Sequence, residues 1–352
     1  MSEFAIRSSL GDYTLDVSLG AAAKAGEARV ALVDPVVADR VDFPAERIVS
    51  VEGSEDAKTL SACEGVLAAM QRAGLARGDL VAAVGGGVVQ DVATLTSSLY
   101  MRGVDWIYVP TTLMAMADSC IGGKSSINAG GIKNLVGNFH PPRRILIDPA
   151  FLTSLPRRAI VSGLAEAVKI CFARGRDSFE TFLAFESAMT PGADEDTVDL
   201  LTHVLMAKKW FVEVDEFDKA ERQLLNFGHS FGHAWESACG YRVQHGVGVG
   251  AGVLGAIRHP AAASNDLTVL LKEYTSDLLV TVRDDVAGAL AATDWDVFRS
   301  SLRSDKKNTH SALRLVLPDG DESVSIRELP LNDEQIDVAQ IALRTALEEL
   351  VA

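Results

Sequence analysis

No apolar run in this chain approaches the ~20 residues that a bilayer span requires, so a membrane-embedded protein is not expected. Cysteine is scarce. Cys63, Cys120, Cys171 and Cys239 stand far apart and form no C-x-x-C pair. A disulfide framework is therefore disfavoured, and four buried thiols in a reducing compartment are expected. Net positive charge is lacking as well: 33 Lys and Arg face 48 Asp and Glu, a formal charge of −15. A field of that sign repels nucleic-acid phosphates and anionic membranes, so neither is an expected partner. The opening segment MSEFAIRSSLGDYTLDV is polar and mixed in charge, unlike a secretory signal, and the expected location is cytoplasmic. No internal repeat or low-complexity tract interrupts the chain.

What remains is a chain of 352 residues, 48% hydrophobic, about two average domains long. Such a chain buries a full core without a structural metal, so any metal is expected to serve chemistry. The first part alternates strand-like and helical stretches: ARVALV ending at Asp34, a helical run over 59–73 closed by Gly74, and the turn at 75–78. DLVAAV then leads into Gly85-Gly86-Gly87, followed by a helical run, the strand WIYVP and the turn Pro110-Thr111-Thr112. This order predicts a parallel sheet covered by helices, a Rossmann-like α/β domain over residues 1–157. After Leu155-Pro156 the pattern turns helical (IVSGLAEAVKICFA, SFETFLAF, VDLLTHVLMAKKWFVEV, LLNFGHSFGHAWESAC), which predicts a mostly α-helical domain over 158–352. RHPAAASND reads as a loop, LRLVLP as a late strand, and the chain ends in a helix.

The strand, Gly85-Gly86-Gly87 and helix make a competent dinucleotide diphosphate site, because glycine admits close backbone approach and a helix N-terminus offers free N–H groups. It is not the G-x-G-x-x-G fingerprint, and a simple tight turn explains it equally well. Asp34, at a strand end, suits a ribose hydroxyl or an ordinary turn.

The second cluster is imidazole. His229 and His233 are four apart on one helical face, and His245 follows in the turn-like Gln244-His245-Gly246. Upstream, Glu166 and Lys169 share a face of SGLAEAVK. Any three of Glu166, His229, His233 and His245 suit a catalytic divalent ion with an open position. The competing reading is ordinary core or surface histidine. Against it, three of only seven histidines fall within seventeen residues. Ser230 stands where H-E-x-x-H needs its glutamate, which disfavours a zincin-type protease. Lysines in Gly-rich or apolar settings (Lys124 in CIGGKSS, Lys133 in GGIKNLVG, Lys208, Lys209, and Lys306 and Lys307 in SDKKN) are candidates for phosphate and carboxylate, with Lys124 the strongest.

Taken together, GGGVVQD, YMRG, VPTTLMAMADSCIGGKSSIN, KNLVGNFHPP, SGLAEAVK, LLNFGHSFGHAWE, QHG and SDKKN resemble, in order, the motifs of the 3-dehydroquinate synthase family of sugar-phosphate cyclases. The resemblance runs from about Asp34 to Asn308. It implies Glu166, His229 and His245 as ligands of one divalent metal, zinc or cobalt, with His233 near the substrate phosphate. It implies NAD contacts from Asp34, Glu55, Lys58, Gly86, Gly87, Asp91, Thr111, Thr112, Asp118, Ser119, Lys124 and Lys133. It implies substrate contacts from Lys124, Asn134, Lys169, Lys208, Arg222, Asn226 and one or both of Lys306 and Lys307, and a phosphate contact from Arg102 that reaches a neighbouring subunit in a homodimer. The implied partner is a phosphorylated sugar acid, and the implied setting is the shikimate route to aromatic amino acids.

Related cyclases act on sugar phosphates without a carboxylate. There the positions of Arg222, Asn226 and often His233 differ, whereas here all three resemble the dehydroquinate type. The expected reaction takes 3-deoxy-arabino-heptulosonate 7-phosphate to 3-dehydroquinate and phosphate. Alternatives are a specialised secondary-metabolism cyclase (an amino-dehydroquinate synthase or a heptulose 7-phosphate cyclase), an NAD- and metal-dependent polyol dehydrogenase, and an inactive binding homologue. Three departures stand out. Val247 replaces the usual glutamate of His-Gly-Glu, Gln90 stands where glycine is common, and the segment after Gly255 reads as short and loop-like.

Overall fold

The computed structural model describes residues 2–320 and 323–352, which divide into two compact units. The first holds the residues through Leu155 together with Pro191–Leu205; the second holds Pro156–Thr190 and Met206–Ala352.

The strands of the first unit are β1 (Ser2–Ile6), β2 (Tyr13–Val17), β3 (Val30–Val33), β4 (Ile48–Ser50), β5 (Leu80–Gly85), β6 (Asp105–Pro110), β7 (Ile127–Ala129), β8 (Ile132–Val136) and β9 (Arg144–Ile147). Seven of them form one sheet in the order β1-β2-β9-β6-β5-β3-β4, parallel throughout except for the β1–β2 hairpin. The central strands VALV and LVAAVG are buried along nearly their whole length, as strands covered on both faces must be. Helices α1 (Leu60–Arg72) and α2 (Gly87–Leu99) supply crossovers; Thr59 caps the first through Ala62 N–H, and Gly74 (φ +72°) lets the chain leave it. The turns after β3, β5 and β6 lie at the carboxyl ends of the strands, where open α/β sheets bind ligands. β7 and β8 form a separate antiparallel pair.

The second unit is built from α3 (Arg157–Arg174), α4 (Arg176–Leu183), the end of α5 (Glu195–Val214), α6 (His229–Ala238), α7 (His245–Arg258), α8 (Asp266–Val280), α9 (Arg283–Ala291), α10 (Trp295–Arg303), a hairpin β10 (Ala312–Pro318) and β11 (Val324–Pro330), and α11 (Asp333–Val351). Every residue of α3 from Ile160 to Ala173 is buried, so this helix is enclosed on all sides, Glu166 and Lys169 included. The helix α7 corrects the reading of QHG as a turn: the chain is helical from His245 to Arg258, and the loop expected at RHPAAASND occupies 259–265. The helix expected over LLNFGHSFGHAWE also divides. Glu221–Asn226 is a 3₁₀ turn, Gly228 takes φ +77°, and α6 begins at His229.

Glycine on α7 sets the packing here. A Cβ on Gly246 would lie 1.9 Å from the Ser162 carbonyl oxygen on α3, and one on Gly252 would lie 2.0 Å from the Gly228 carbonyl oxygen. Only hydrogen fits at either point. The backbones of α3, α6 and α7 therefore approach one another directly, and side chains at their ends converge. Among the described residues no helix is long and apolar enough to cross a membrane. All four cysteines are free and buried, and burial pushes the Cys63 thiol up to about 11 and the Cys171 thiol up to about 12.

Candidate active site

In the first unit, Gly86 ends the strand–turn and α2 begins at Gly87, the N-cap glycine offering no side-chain cap. A helix start of this kind presents N–H groups and a positive dipole end that suit an anionic ligand. Thr112 and Ser119 border the turn: a Cβ on Gly86 would meet Thr112 Cγ2 at 3.1 Å, and one on Gly87 would meet Ser119 Oγ at 3.9 Å. Thr111 is buried, its N–H bonded to the Gly85 carbonyl. Asp118 and Ser119 close a short π-helical turn, Ala115–Ser119, a rare form that recurs at functional sites. Asp34 caps the turn after β3 by accepting from Val36 N–H at 3.1 Å, and its other oxygen lies where a Cβ on Gly53 would collide at 2.1 Å. The aspartate is thus both the turn residue and a carboxylate beside a bare backbone.

Lys58 and Asp91 form an ion pair at 2.6 Å. Lys58 also donates to Asn134 Oδ1 at 2.8 Å, and Asp91 accepts from Ser126 N–H at 2.9 Å. Burial raises the Asp91 carboxyl above its ordinary value despite Lys58 and the Ser126 bonds. Asn134 holds φ +55°. Glu55 accepts from Asn128 Nδ2 at 2.9 Å. Lys58, Asp91 and Asn134 therefore meet as one braced group. Lys133 is exposed, and Lys124 lies with its ammonium 6.0 Å from the Phe139 ring centroid. Arg102 is exposed at φ +69°, next to Met101 at φ +48°.

The second unit gathers the imidazoles. His229 and His233 rise from α6, His245 from the first position of α7, and their ring nitrogens lie within 4.8 Å of one another. Glu166 adds a carboxylate that is 1% exposed. Neither of its oxygens has a hydrogen-bond donor of regular geometry; Oε2 is ion-paired with Lys169 Nζ, and Oε1 has no such cation. Oε1 stands 3.6 Å from His229 Nε2 and 3.5 Å from His245 Nε2. Donors 2.0–2.1 Å from a tetrahedral ion stand about 3.4 Å apart, so Oε1 is spaced from each imidazole nitrogen as fellow ligands of one cation are. A buried carboxylate oxygen without a donor is costly, and a divalent ion removes that cost. The residues present fit a metal.

The other ring nitrogens are held from behind. His229 Nδ1 faces the Phe227 carbonyl at 3.3 Å, and His245 Nδ1 faces Glu236 Oε1 at 3.0 Å. Each bond leaves Nε2 toward Glu166, the arrangement found behind metal-bound histidine. Burial, then the Lys169 charge and the neighbouring imidazoles and Lys307, hold His229 well below its usual range. His233 is pushed down to about 3 by loss of hydration, then by His245 and Lys307. Burial lowers His245 as well, but the Glu236 hydrogen bond and charge, with the Glu166 charge, leave it raised. A cation at Nε2 competes with that proton.

Lys208 and Arg222 of the same unit are buried. Arg222 is anchored by its Nη1 on the Glu216 carbonyl at 2.7 Å and by its N–H on Asp215 Oδ2 at 3.2 Å. Asn226 donates to the Gln223 carbonyl at 3.0 Å. Of the SDKKN pair, Lys306 is exposed, whereas Lys307 pairs with Asp305 at 2.8 Å and its charge acts on His229 and His233. Sequence reasoning missed Glu236, which carries its own signal: it is three residues beyond His233 on the same helical face.

A family model described as 3-dehydroquinate synthase N-terminal matches residues 48–162, and one described as 3-dehydroquinate synthase C-terminal matches 163–308. A 3-dehydroquinate synthase of Synechococcus sp. (strain CC9605) is 35% identical over 316 residues, covering 88% of this chain and 81% of that protein. Among solved structures, a 2-deoxy-scyllo-inosose synthase complexed with carbaglucose-6-phosphate, NAD+ and Co2+ superposes with a TM-score of 0.81 at 22% identity, covering 98% of this chain and 99% of that one. The 2-epi-5-epi-valiolone synthase from Streptomyces hygroscopicus subsp. jinggangensis 5008, with NAD+ and Zn2+ bound, gives 0.76 at 25% identity over 95% of this chain and 97% of that one. With both family models matched along most of its length, the chain belongs to the 3-dehydroquinate synthase family of sugar-phosphate cyclases.

Proposed function

We propose that the protein is a 3-dehydroquinate synthase, a phosphate-eliminating lyase that closes 3-deoxy-arabino-heptulosonate 7-phosphate to 3-dehydroquinate. The observation that carries this reading is the donorless Glu166 Oε1 beside His229 Nε2 and His245 Nε2. Glu166, His229 and His245 hold the divalent ion; the turn at Gly86 and Gly87, with Asp34, Thr111, Thr112, Asp118 and Ser119, holds NAD. NAD+ with Co2+ or Zn2+ in two structural neighbours supports both groups. When bound, NAD takes hydride from a secondary alcohol and returns it, and the metal polarises the oxygen concerned.

The chain's own side chains do the rest. Lys169 and Lys307 supply positive charge at the imidazoles, and buried Lys208 is assigned to the same substrate, as a ligand bearing phosphate and carboxylate requires in a protein of net charge −15. Arg222 is matched to the carboxylate, which it grips by two parallel hydrogen bonds, with Asn226 beside it. His233 is assigned to the substrate phosphate rather than to the metal. Arg222 favours the dehydroquinate reaction over cyclisation of a sugar phosphate without a carboxylate. The reading includes a cytoplasmic homodimer in which exposed Arg102 serves the neighbouring subunit.

The test is phosphate release from a panel of heptulosonate, amino-heptulosonate, heptulose and glucose phosphates, with NAD and metal supplied and NADH absorbance followed. Release from heptulosonate 7-phosphate with no net NADH is expected. Steady NADH accumulation makes the protein a dehydrogenase; no release from any substrate makes it a binding homologue.

A further inference from the structure

Gln90 sits in the first turn of α2, where it is 4% exposed. Its side chain grips both polar groups of Ser119. Gln90 Nε2 donates to the Ser119 carbonyl at 2.7 Å, and the Ser119 hydroxyl donates to Gln90 Oε1 at 2.7 Å. The pairing has only one sense. A carbonyl oxygen accepts and never donates, so the amide nitrogen must face it. The amide oxygen is then the group facing Ser119 Oγ, and the serine must give it its proton. Ser119 Oγ, which borders the glycine turn beside Gly87, is left with lone pairs alone.

We propose that Gln90 is a positioning residue that fixes Ser119 as an acceptor, so that Ser119 receives a hydrogen bond from a donor group of the bound dinucleotide, a ribose hydroxyl or the nicotinamide amide, and donates none to a phosphate oxygen. The diphosphate is left to the N–H groups at the start of α2. The inference rests on the cyclase reading above. A glycine at position 90 places no such constraint: without the amide, the Ser119 hydroxyl turns freely and donates to an anion as readily as it accepts.

NADH binding to the full-length protein, followed by fluorescence, tests this. The parent is titrated first; absence of NADH binding overturns the cyclase reading and this inference with it. With binding established, Gln90→Leu and Ser119→Ala are each expected to weaken NADH by about tenfold, with the substrate KM at saturating NAD unchanged. The double variant is expected to be no weaker than Ser119→Ala, because Gln90 acts through Ser119. Losses that add, or a folded Gln90→Leu protein binding NADH within twofold of the parent, overturn the proposal. If the leucine variant does not fold, the more flexible Gln90→Met is read in its place. The reduced 3-acetylpyridine dinucleotide, which carries methyl in place of the amide NH2, identifies the donor. A Ser119→Ala loss seen with NADH but not with this analogue assigns the amide; an equal loss with both assigns a ribose hydroxyl.

Discussion

His245 Nδ1 lies 3.0 Å from Glu236 Oε1, and this bond decides which ring nitrogen of His245 faces Glu166. A carboxylate only accepts, so Nδ1 carries the proton and Nε2 is the donor to a cation. Glu236 is held against α7 at Gly248, where a Cβ would stand 2.7 Å from the same oxygen. The carboxylate behind His245 thus comes from α6, and the valine at 247 leaves that function intact. Removing it is expected to loosen the metal. Glu236→Ala and Glu236→Gln should weaken divalent-ion binding about 10–100-fold, measured by competition with a chromophoric chelator, and excess metal should restore most turnover. Unchanged metal affinity in a folded variant would show that His245 needs no such support.

The buried Lys169–Glu166 pair makes a second prediction. Both side chains are almost wholly enclosed in α3, 2% and 1% exposed. Removing one partner of a buried pair leaves an uncompensated charge, costing about 3–5 kcal/mol. Lys169→Met should therefore destabilise the metal-free protein by that order. The loss should shrink when zinc or cobalt is added, because the cation then balances Glu166. Urea unfolding with and without chelator measures the difference, and an equal loss in both conditions would contradict the assignment of Glu166 as a ligand.

Much of this was legible in the sequence. The near-continuous apolar strands VALV and LVAAVG, each followed by a glycine or aspartate turn, announce the parallel sheet, and Gly85-Gly86-Gly87 announces the start of α2. Helix α7 was not legible. HGVGVGAGVLGAIR holds five glycines, each unfavourable in an isolated helix by about 1 kcal/mol. Burial between α3 and α6 overrides that propensity, and the contact depends on the very glycines that hide it. The reciprocal pairing of Gln90 with Ser119, 29 residues away, was equally invisible, since nothing local in the sequence joins them.

The glycine contacts predict a steep response to one methyl group. A Cβ at Gly246 would sit 1.9 Å from the Ser162 carbonyl oxygen and 2.7 Å from Ser162 Cα, all backbone atoms that cannot rotate away. Helix α7 must move outward, and His245 moves with it. Gly246→Ala is expected to cost at least about 1–3 kcal/mol in stability and to lose metal affinity as well. Gly288→Ala, at a position with open space around it, is the control and should be neutral or slightly stabilising. Denaturant unfolding of the two variants gives the comparison; a Gly246→Ala protein as stable as the control would refute the packing argument.

Asp215 makes the pH prediction. Its Oδ1 accepts from Lys219 N–H at 2.9 Å, and its Oδ2 accepts from Ala220 N–H at 2.6 Å and Arg222 N–H at 3.2 Å. Burial raises this carboxyl, but the three N–H bonds and the Arg222 charge outweigh it and leave the group lowered. A depressed carboxyl stabilises the fold at pH values above its unfolded value of about 3.9, and that contribution is lost as pH falls through the folded value. Asp215→Asn removes the charge and turns an NH2 group toward backbone donors. It should cost about 1–3 kcal/mol at pH 7, and the two proteins should converge in stability as the pH drops below about 3.9. Because the same turn anchors Arg222, the variant should raise the substrate KM more than it lowers kcat. Urea unfolding at pH 7 and pH 3, with steady-state kinetics at pH 7, tests both parts; a stability gap that persists unchanged at pH 3 would rule out the carboxylate as its source.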